Sequence, residues 1–143
     1  MNKDKIQVQF EITLEELVGY FETIDQEYLN QLLIEVNLSQ YATKLIERAK
    51  KIILRDGSKI IASLFYYESE DEIFISHLSV CKSSERQGLG KTVVESLKSK
   101  VRQRVIILEV DVNNINARKF YEIMGFKEKS NRSKKIVMEL SWT

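Results

Sequence analysis

A mixed α/β (α+β) domain is the fold class this sequence predicts: a mostly antiparallel sheet with helices on both faces. Three observations carry it. The first third reads as one strand and then helices, the middle as an antiparallel meander, and the remainder as a strand–helix–strand–helix–strand run. Proline is absent, and no repeat, low-complexity tract or linker interrupts the 143 residues, so a single domain over residues 1–143 is expected.

Ile6, Val8 and Phe10 alternate with Gln7, Gln9 and Glu11, the period of a half-buried strand. Thr13 followed by Glu16 forms a capping box, and Leu14, Leu17, Val18 and Phe21 fall at helical spacing behind it. Asp25 is expected to cap a second helix with Leu29, Leu32, Leu33 and Val36 on one face. Ser39 is expected to cap a third that buries Tyr41, Ala42, Leu45, Ile46 and Ala49. The meander follows: Ile52 to Leu54, a tight turn at Asp56-Gly57, Ile60 to Tyr67, a polar turn from Ser69 to Glu72, then Ile73 to Cys81. Gly88-Leu89-Gly90 precedes a helix through Val93, Val94 and Leu97. Val105 to Val112 is a strand, Asn114 to Met124 a helix stopped by Gly125, and Ile136 to Trp142 the last strand.

Composition narrows the function. Lys plus Arg is 22 and Asp plus Glu 21, a net charge of +1, which excludes the large basic excess of a dedicated nucleic-acid binder. Apolar residues at 43% fill a core. The longest apolar stretch, Ile60 to Tyr67, is broken by Ser63 and falls far short of the roughly 20 residues of a membrane span. Lys3, Asp4 and Lys5 have no apolar stretch behind them of signal-peptide length. One cysteine, Cys81, makes no internal disulfide, and one histidine, His77, leaves too few imidazole or thiolate ligands for most transition-metal sites. A soluble cytoplasmic protein without a metal, a nucleic-acid partner or a membrane is expected.

The stretch Ser84 to Thr92 joins a strand to a helix with glycines at 88 and 90. Bare backbone there admits a ligand closely, and the helix start offers unpaired N–H groups to phosphate oxygens. Gly90-Lys91-Thr92 invites a nucleotide P-loop reading, but Glu85 stands where that motif requires glycine. A dinucleotide fingerprint fails at Val93, its third glycine position. On this stretch alone, a plain turn into a helix remains an equal reading.

The segment from Asn114 to Phe126 removes that ambiguity. It carries Asn114, Ala117, Phe120, Tyr121, Gly125 and Phe126 in the pattern Asn-x-x-Ala-x-x-hydrophobic-Tyr-x-x-x-Gly-Phe. Together with Gly88 and Gly90, and with the strand from Ile106 to Val110 between them, it resembles the GCN5-related N-acetyltransferase superfamily over about residues 60–126. Two positions depart from the family pattern: Glu85 replaces the usual Gln or Arg, and Lys82 a frequent proline.

The resemblance implies direct acetyl transfer from acetyl-CoA to an amine. It places the pyrophosphate on the loop of Arg86, Gln87, Gly88, Leu89, Gly90 and Lys91, with Arg86 and Lys91 offsetting Glu85. The pantetheine arm would lie on the open strand edge at Leu78 and Val80, and Asn114 would order that arm or cap its helix. Tyr121 matches the family's general acid; its ordinary pKa of about 10 keeps it protonated near neutrality. His77 is the candidate base on the strand beside the splay, with Glu109 and Asp111 as rivals; Cys81 is read as a buried strand residue. Lys98 to Arg104 complements a helix C-terminus, and Lys127 to Lys135 reads as a solvated mobile hairpin. The expected acceptor is a small primary amine, such as an amino sugar or amino acid derivative. A protein N-terminus or lysine, and a non-catalytic acyl-CoA sensor, stay open as alternatives, as does a homodimer.

Overall fold

The computed structural model describes residues 5–143; Lys3 and Asp4, used above against a signal peptide, lie outside them. Seven strands form one sheet in the order β1-β2-β3-β4-β5-β7-β6. In chain order these are β1 (Ile6–Gln9), α1 (Leu14–Phe21), α2 (Gln26–Leu32), α3 (Leu38–Arg48), β2 (Lys50–Asp56), β3 (Lys59–Glu68) and β4 (Ile73–Val80). Then come α4 (Leu89–Lys100), β5 (Val105–Asp111), α5 (Ile115–Ile123), β6 (Lys127–Arg132) and β7 (Lys135–Ser141).

All neighbouring strands are antiparallel except β4 and β5. That parallel pair is joined only at Ile73↔Ile106 and Phe74↔Ile107, after which the strands part. The joined end is pinned by side chains: buried Gln103 donates from Nε2 to the Ser69 carbonyl (2.7 Å), and Arg102 donates from Nη2 to that of Glu70 (2.9 Å). A wedge therefore opens from the middle of the sheet toward the head of α4.

The core explains why these segments settle here. Ile52, Ile53 and Leu54 of β2 and Ile61, Ala62, Leu64, Phe65 and Tyr66 of β3 have essentially no exposed surface, as expected for central strands covered on both faces. Helix α4 packs on β2, β3 and β4 through Val93, Val94 and Leu97. Leu17 and Phe21 of α1 and Ala42 and Leu45 of α3 join the same core. The Thr13–Glu16 capping box and the Asp25 cap form as expected.

Four expectations are corrected. The third helix is capped by Asn37, not Ser39: Asn37 Oδ1 accepts from the Gln40 N–H (2.8 Å), while Gln40 Oε1 accepts from the Asn37 N–H (3.0 Å), so the reciprocal pair fixes the start two residues earlier. The second helix ends at Leu32, which leaves Ile34 and Val36 exposed beyond it. β1 is an edge strand whose Val8 is exposed, so its alternation does not mark a buried face; Phe10 beyond it carries the Lys100 ammonium over its ring (3.3 Å to the centroid). Lys127 to Lys135 is a solvated hairpin, as expected, but its first arm is a strand that the sequence reading lacks: β6 pairs along β7, and Lys129 meets Glu139 at 3.6 Å. The exposed charges of β6 suit a sheet edge, where they discourage pairing with another chain.

Candidate active site

The cleft begins where α4 begins. Cys81 donates its N–H to the Ile61 carbonyl (2.9 Å) and Lys82 to that of Thr23 (2.8 Å), anchoring the chain as it leaves β4. A 3-10 turn at Lys82–Ser84 follows. Arg86 (φ +66°) and Gly88 (φ +78°) then adopt left-handed backbone. For arginine that conformation costs about 1–2 kcal/mol, which the anchored loop must hold. Gly88 is the N-cap of α4 and makes no side-chain cap bond. The first intrahelical bond runs from the Thr92 N–H to the Gly88 carbonyl (3.0 Å), so the N–H groups of Leu89, Gly90 and Lys91 have no partner within the helix. These donors and the positive end of the dipole suit a diphosphate.

A cleft of about 500 Å³ extends from this loop along β4 to α5. Leu78, Val80, Arg86, Gly88, Leu89, Gly90, Asn114 and Tyr121 all line it. Glu85 lines it too, beside Arg86; Gln87 and Lys91 do not, so the anticipated offset by Lys91 is not made in the cleft wall. Beyond Phe74 the β5-facing edge of β4 has no strand partner among the described residues, so the backbone at Leu78 and Val80 is free to pair with an extended amide-bearing ligand.

Helix α5 forms the opposite wall. Asn114 caps it, its Oδ1 accepting from the Ala117 N–H (3.1 Å), and Arg118 donates from Nη1 to the Val112 carbonyl (3.1 Å). Tyr121 packs edge-on against Phe126 (5.7 Å between centroids), and burial pushes its pKa up to about 12. The Phe120 ring lies directly over Gly90, so a β-carbon at that position would collide with it. Gly90 therefore lets α5 approach the head of α4, a role its spacing does not announce.

His77 sits differently from the other candidates. It is 1% exposed and is not part of the cleft wall. Its ring is enclosed by Phe21, Tyr28, Tyr41 and Phe65, and burial alone pushes its pKa down to about 3, so it is neutral at ordinary pH. Nδ1 pairs with the Tyr41 hydroxyl (3.0 Å) and Nε2 with Ser79 Oγ (2.7 Å). Ser79 does line the cleft. Of the rivals, Glu109 is exposed on β5, and Asp111 borders an adjoining polar cavity of about 440 Å³. Cys81 is buried, as expected.

Sequence reasoning misses Ser79 and Tyr28. Ser79 stands two residues after His77 on the same face of a strand, a signal open to a reader of the sequence. Tyr28 comes from α2 and has no motif to mark it. Among the described residues no group of three or more His, Cys, Asp or Glu side chains is placed to hold a metal ion, and no helix is long and apolar enough to cross a membrane.

A strand edge left open beside a glycine-headed helix, with a tyrosine on the facing wall, is an arrangement suited to a ligand that carries a diphosphate and an extended amide-bearing arm. The chain belongs to the acetyltransferase (GNAT) family, whose model matches residues 11–126 and whose acyl donor is acetyl-CoA. It is similar in fold to the ribosomal-protein-S18-alanine N-acetyltransferase of Escherichia coli, at 22% identity and TM-score 0.73, over 95% of this chain and 93% of that one. An acetyltransferase from Thermus thermophilus aligns at 15% identity and TM-score 0.79, over 95% and 97%. A GNAT family acetyltransferase from Elizabethkingia anophelis with acetyl-CoA bound aligns at 12% identity and TM-score 0.68, over 98% and 100%. At these identities the likeness establishes the fold. No curated protein matches the chain in sequence.

Proposed function

We propose that this N-acetyltransferase modifies a small molecule bearing a primary amine, such as an amino sugar or an amino acid derivative. The observation that carries the reading is the polar cavity of about 440 Å³ beside the cleft. It shares Asp25, Tyr28, Asn114 and Asn116 with the cleft wall and adds Glu27, Gln31 and Asp111. Its volume suits a small ligand, and its carboxylates suit one that arrives as a cation.

In this reading the loop from Arg86 to Lys91 holds the donor's diphosphate, mainly through the backbone amides of Leu89, Gly90 and Lys91. Leu78 and Val80 align the pantetheine arm along β4, and Asn114 holds the start of α5 against it. The neutral amine attacks the thioester carbonyl carbon, a C–N bond forms, and the C–S bond breaks. Tyr121 gives its proton to the departing thiolate, and the proton that the attacking nitrogen sheds as it becomes the amide restores the phenol; a pKa raised to about 12 keeps the phenol protonated before the step. Glu85, a carboxylate on the cleft wall, opposes the diphosphate and weakens donor binding without abolishing it. His77 reaches the acceptor only through Ser79.

Thermal denaturation with acetyl-CoA, CoA, ATP and NAD tests the donor site, followed by mass-detected acetylation across amino sugars, amino acid derivatives, peptides with free N-termini and lysine peptides. Acetyl-CoA and CoA should each raise the melting temperature through linkage, with ATP and NAD doing little. Transfer to peptides alone would overturn the small-molecule reading. A stable acetyl-CoA complex that acetylates nothing would mark a sensor.

A further inference from the structure

One group of buried polar side chains is not used by the donor site. Ser79 Oγ lies 2.7 Å from His77 Nε2, 2.7 Å from the Tyr20 hydroxyl and 3.4 Å from Ser63 Oγ. His77 Nδ1 lies 3.0 Å from the Tyr41 hydroxyl. A packing histidine needs one partner for its N–H. Here both ring nitrogens meet hydroxyls, each of which both donates and accepts. One end of the chain, Ser79, is on the cleft wall; the other, Tyr41, is half-buried on α3, and its hydroxyl has no further hydrogen bond among the described residues.

We propose that Ser79, His77 and Tyr41 form a proton relay that takes the surplus proton of the acceptor ammonium out of the cleft. The inference rests on the acetyl-transfer reading above and names the route that reading lacks. The ammonium passes one proton to Ser79 Oγ. Ser79 gives its own proton to His77 Nε2, His77 gives its Nδ1 proton to the Tyr41 oxygen, and Tyr41 releases its proton to water. The amine is left neutral with its lone pair free, and every group in the chain ends with as many protons as it began. No imidazolium has to persist, which agrees with a ring whose burial holds its pKa near 3. Tyr20 holds Ser79 in line from α1.

The groups facing His77 are phenols and apolar rings. Tyr28 comes from α2, Tyr41 from α3, Phe21 from α1 and Phe65 from β3. None of the hydrogen bonds along the chain is made by a carboxylate or an ammonium. The pH dependence below is therefore set by the amine.

The test compares wild type, Ser79→Ala, Ser79→Thr, His77→Gln and Tyr41→Phe, measuring kcat/KM between about pH 6.5 and pH 10. Two probe acceptors are used: an alkylamine of pKa about 10 and an arylamine of pKa about 5, already neutral throughout. On the alkylamine, Ser79→Ala, His77→Gln and Tyr41→Phe should lose roughly 10- to 100-fold near pH 7 and recover to within about threefold by pH 10. Ser79→Thr, which keeps the hydroxyl, should retain most activity. On the arylamine all variants should approach wild type, and the melting shift with acetyl-CoA should be unchanged. His77→Gln keeps an amide near the Nε2 position but passes no proton onward, and Tyr41→Phe keeps the ring if the histidine variant misfolds. A loss independent of pH, or equal on both amines, overturns the relay while the transferase stands. A wild-type protein that binds acetyl-CoA and acetylates neither probe overturns the transfer reading and the relay with it.

Discussion

Helices α4 and α5 both start at the mouth of the cleft, yet they are held in opposite ways. α4 buries Leu89, Gly90, Val93, Val94 and Leu97 against the sheet. α5 has no buried residue, and Ile115, Phe120 and Ile123 along it are exposed, Ile123 by 87%. It is held by the partial packing of Ala117, Tyr121 and Met124, by the Asn114 cap and by the Arg118 bond to Val112. In the function proposed above, the diphosphate meets the firmer helix and the reacting sulfur the looser one. Local opening comes most easily where few apolar contacts resist it, so α5 should open at a lower cost than α4.

The largest effect that tests this contrast is on stability. Leu97→Ala should cost about 2–5 kcal/mol, since Leu97 is fully buried. Ile123→Ala on α5 should change stability by no more than about 0.5 kcal/mol. Thermal or urea denaturation of both variants checks the pair; similar losses would mean that α5 is docked as firmly as α4.

Next comes Tyr121→Phe, which removes a hydroxyl and keeps the ring. With the acid role above, kcat should fall roughly 10- to 10³-fold while the melting temperature and acetyl-CoA binding hardly change. Because burial raises this pKa to about 12, the acid form persists as pH rises. The wild-type kcat should therefore show no alkaline decline from loss of this proton up to about pH 10, as a pH–rate profile would reveal. Equal kcat values for the two proteins would return Tyr121 to packing.

The smallest effect joins the two helices. Gly90→Ala drives a methyl group into Phe120, so the yielding partner, α5, should shift and take Tyr121 with it. We expect kcat to fall roughly tenfold, and Phe120→Ala in the same protein to restore much of it, a coupling that a double-mutant cycle measures. Independent effects would mean that Gly90 serves the diphosphate alone.

Much of this contrast is legible in the sequence. The spacing of Val93, Val94 and Leu97 marks α4 as a buried helix, and the match of Asn114, Tyr121 and Gly125 to a family pattern places α5. Local signals suffice where one side chain decides, as at Thr13 and Asp25; at Asn37 an equally local signal, three residues ahead of Gln40, is masked by the neighbouring Ser39. What the sequence hides depends on partners distant along the chain. Tyr41 and His77 meet across 36 residues, and Tyr20 and Ser79 across 59. Phe120 settles on Gly90 only because two helices converge. The strand nature of β6 is concealed by its charges, which follow from its place at the sheet edge and not from its backbone pairing.

The pin at Gln103 and Arg102 has a consequence for how such a protein can change. It clamps the parallel strands at one end; over the six residues of β4 beyond Phe74, about 20 Å of chain, β4 stays paired with β3 and β5 with β7, so the two halves of the sheet part from each other at the other end. This is a lever with its fulcrum far from the load. A slight rearrangement beneath Ser69 and Glu70 is magnified at the mouth, where the acyl group must fit. Selection for a bulkier or slimmer substrate can therefore act on the hinge end of the sheet, adjusting the gap while every residue that touches the substrate stays the same.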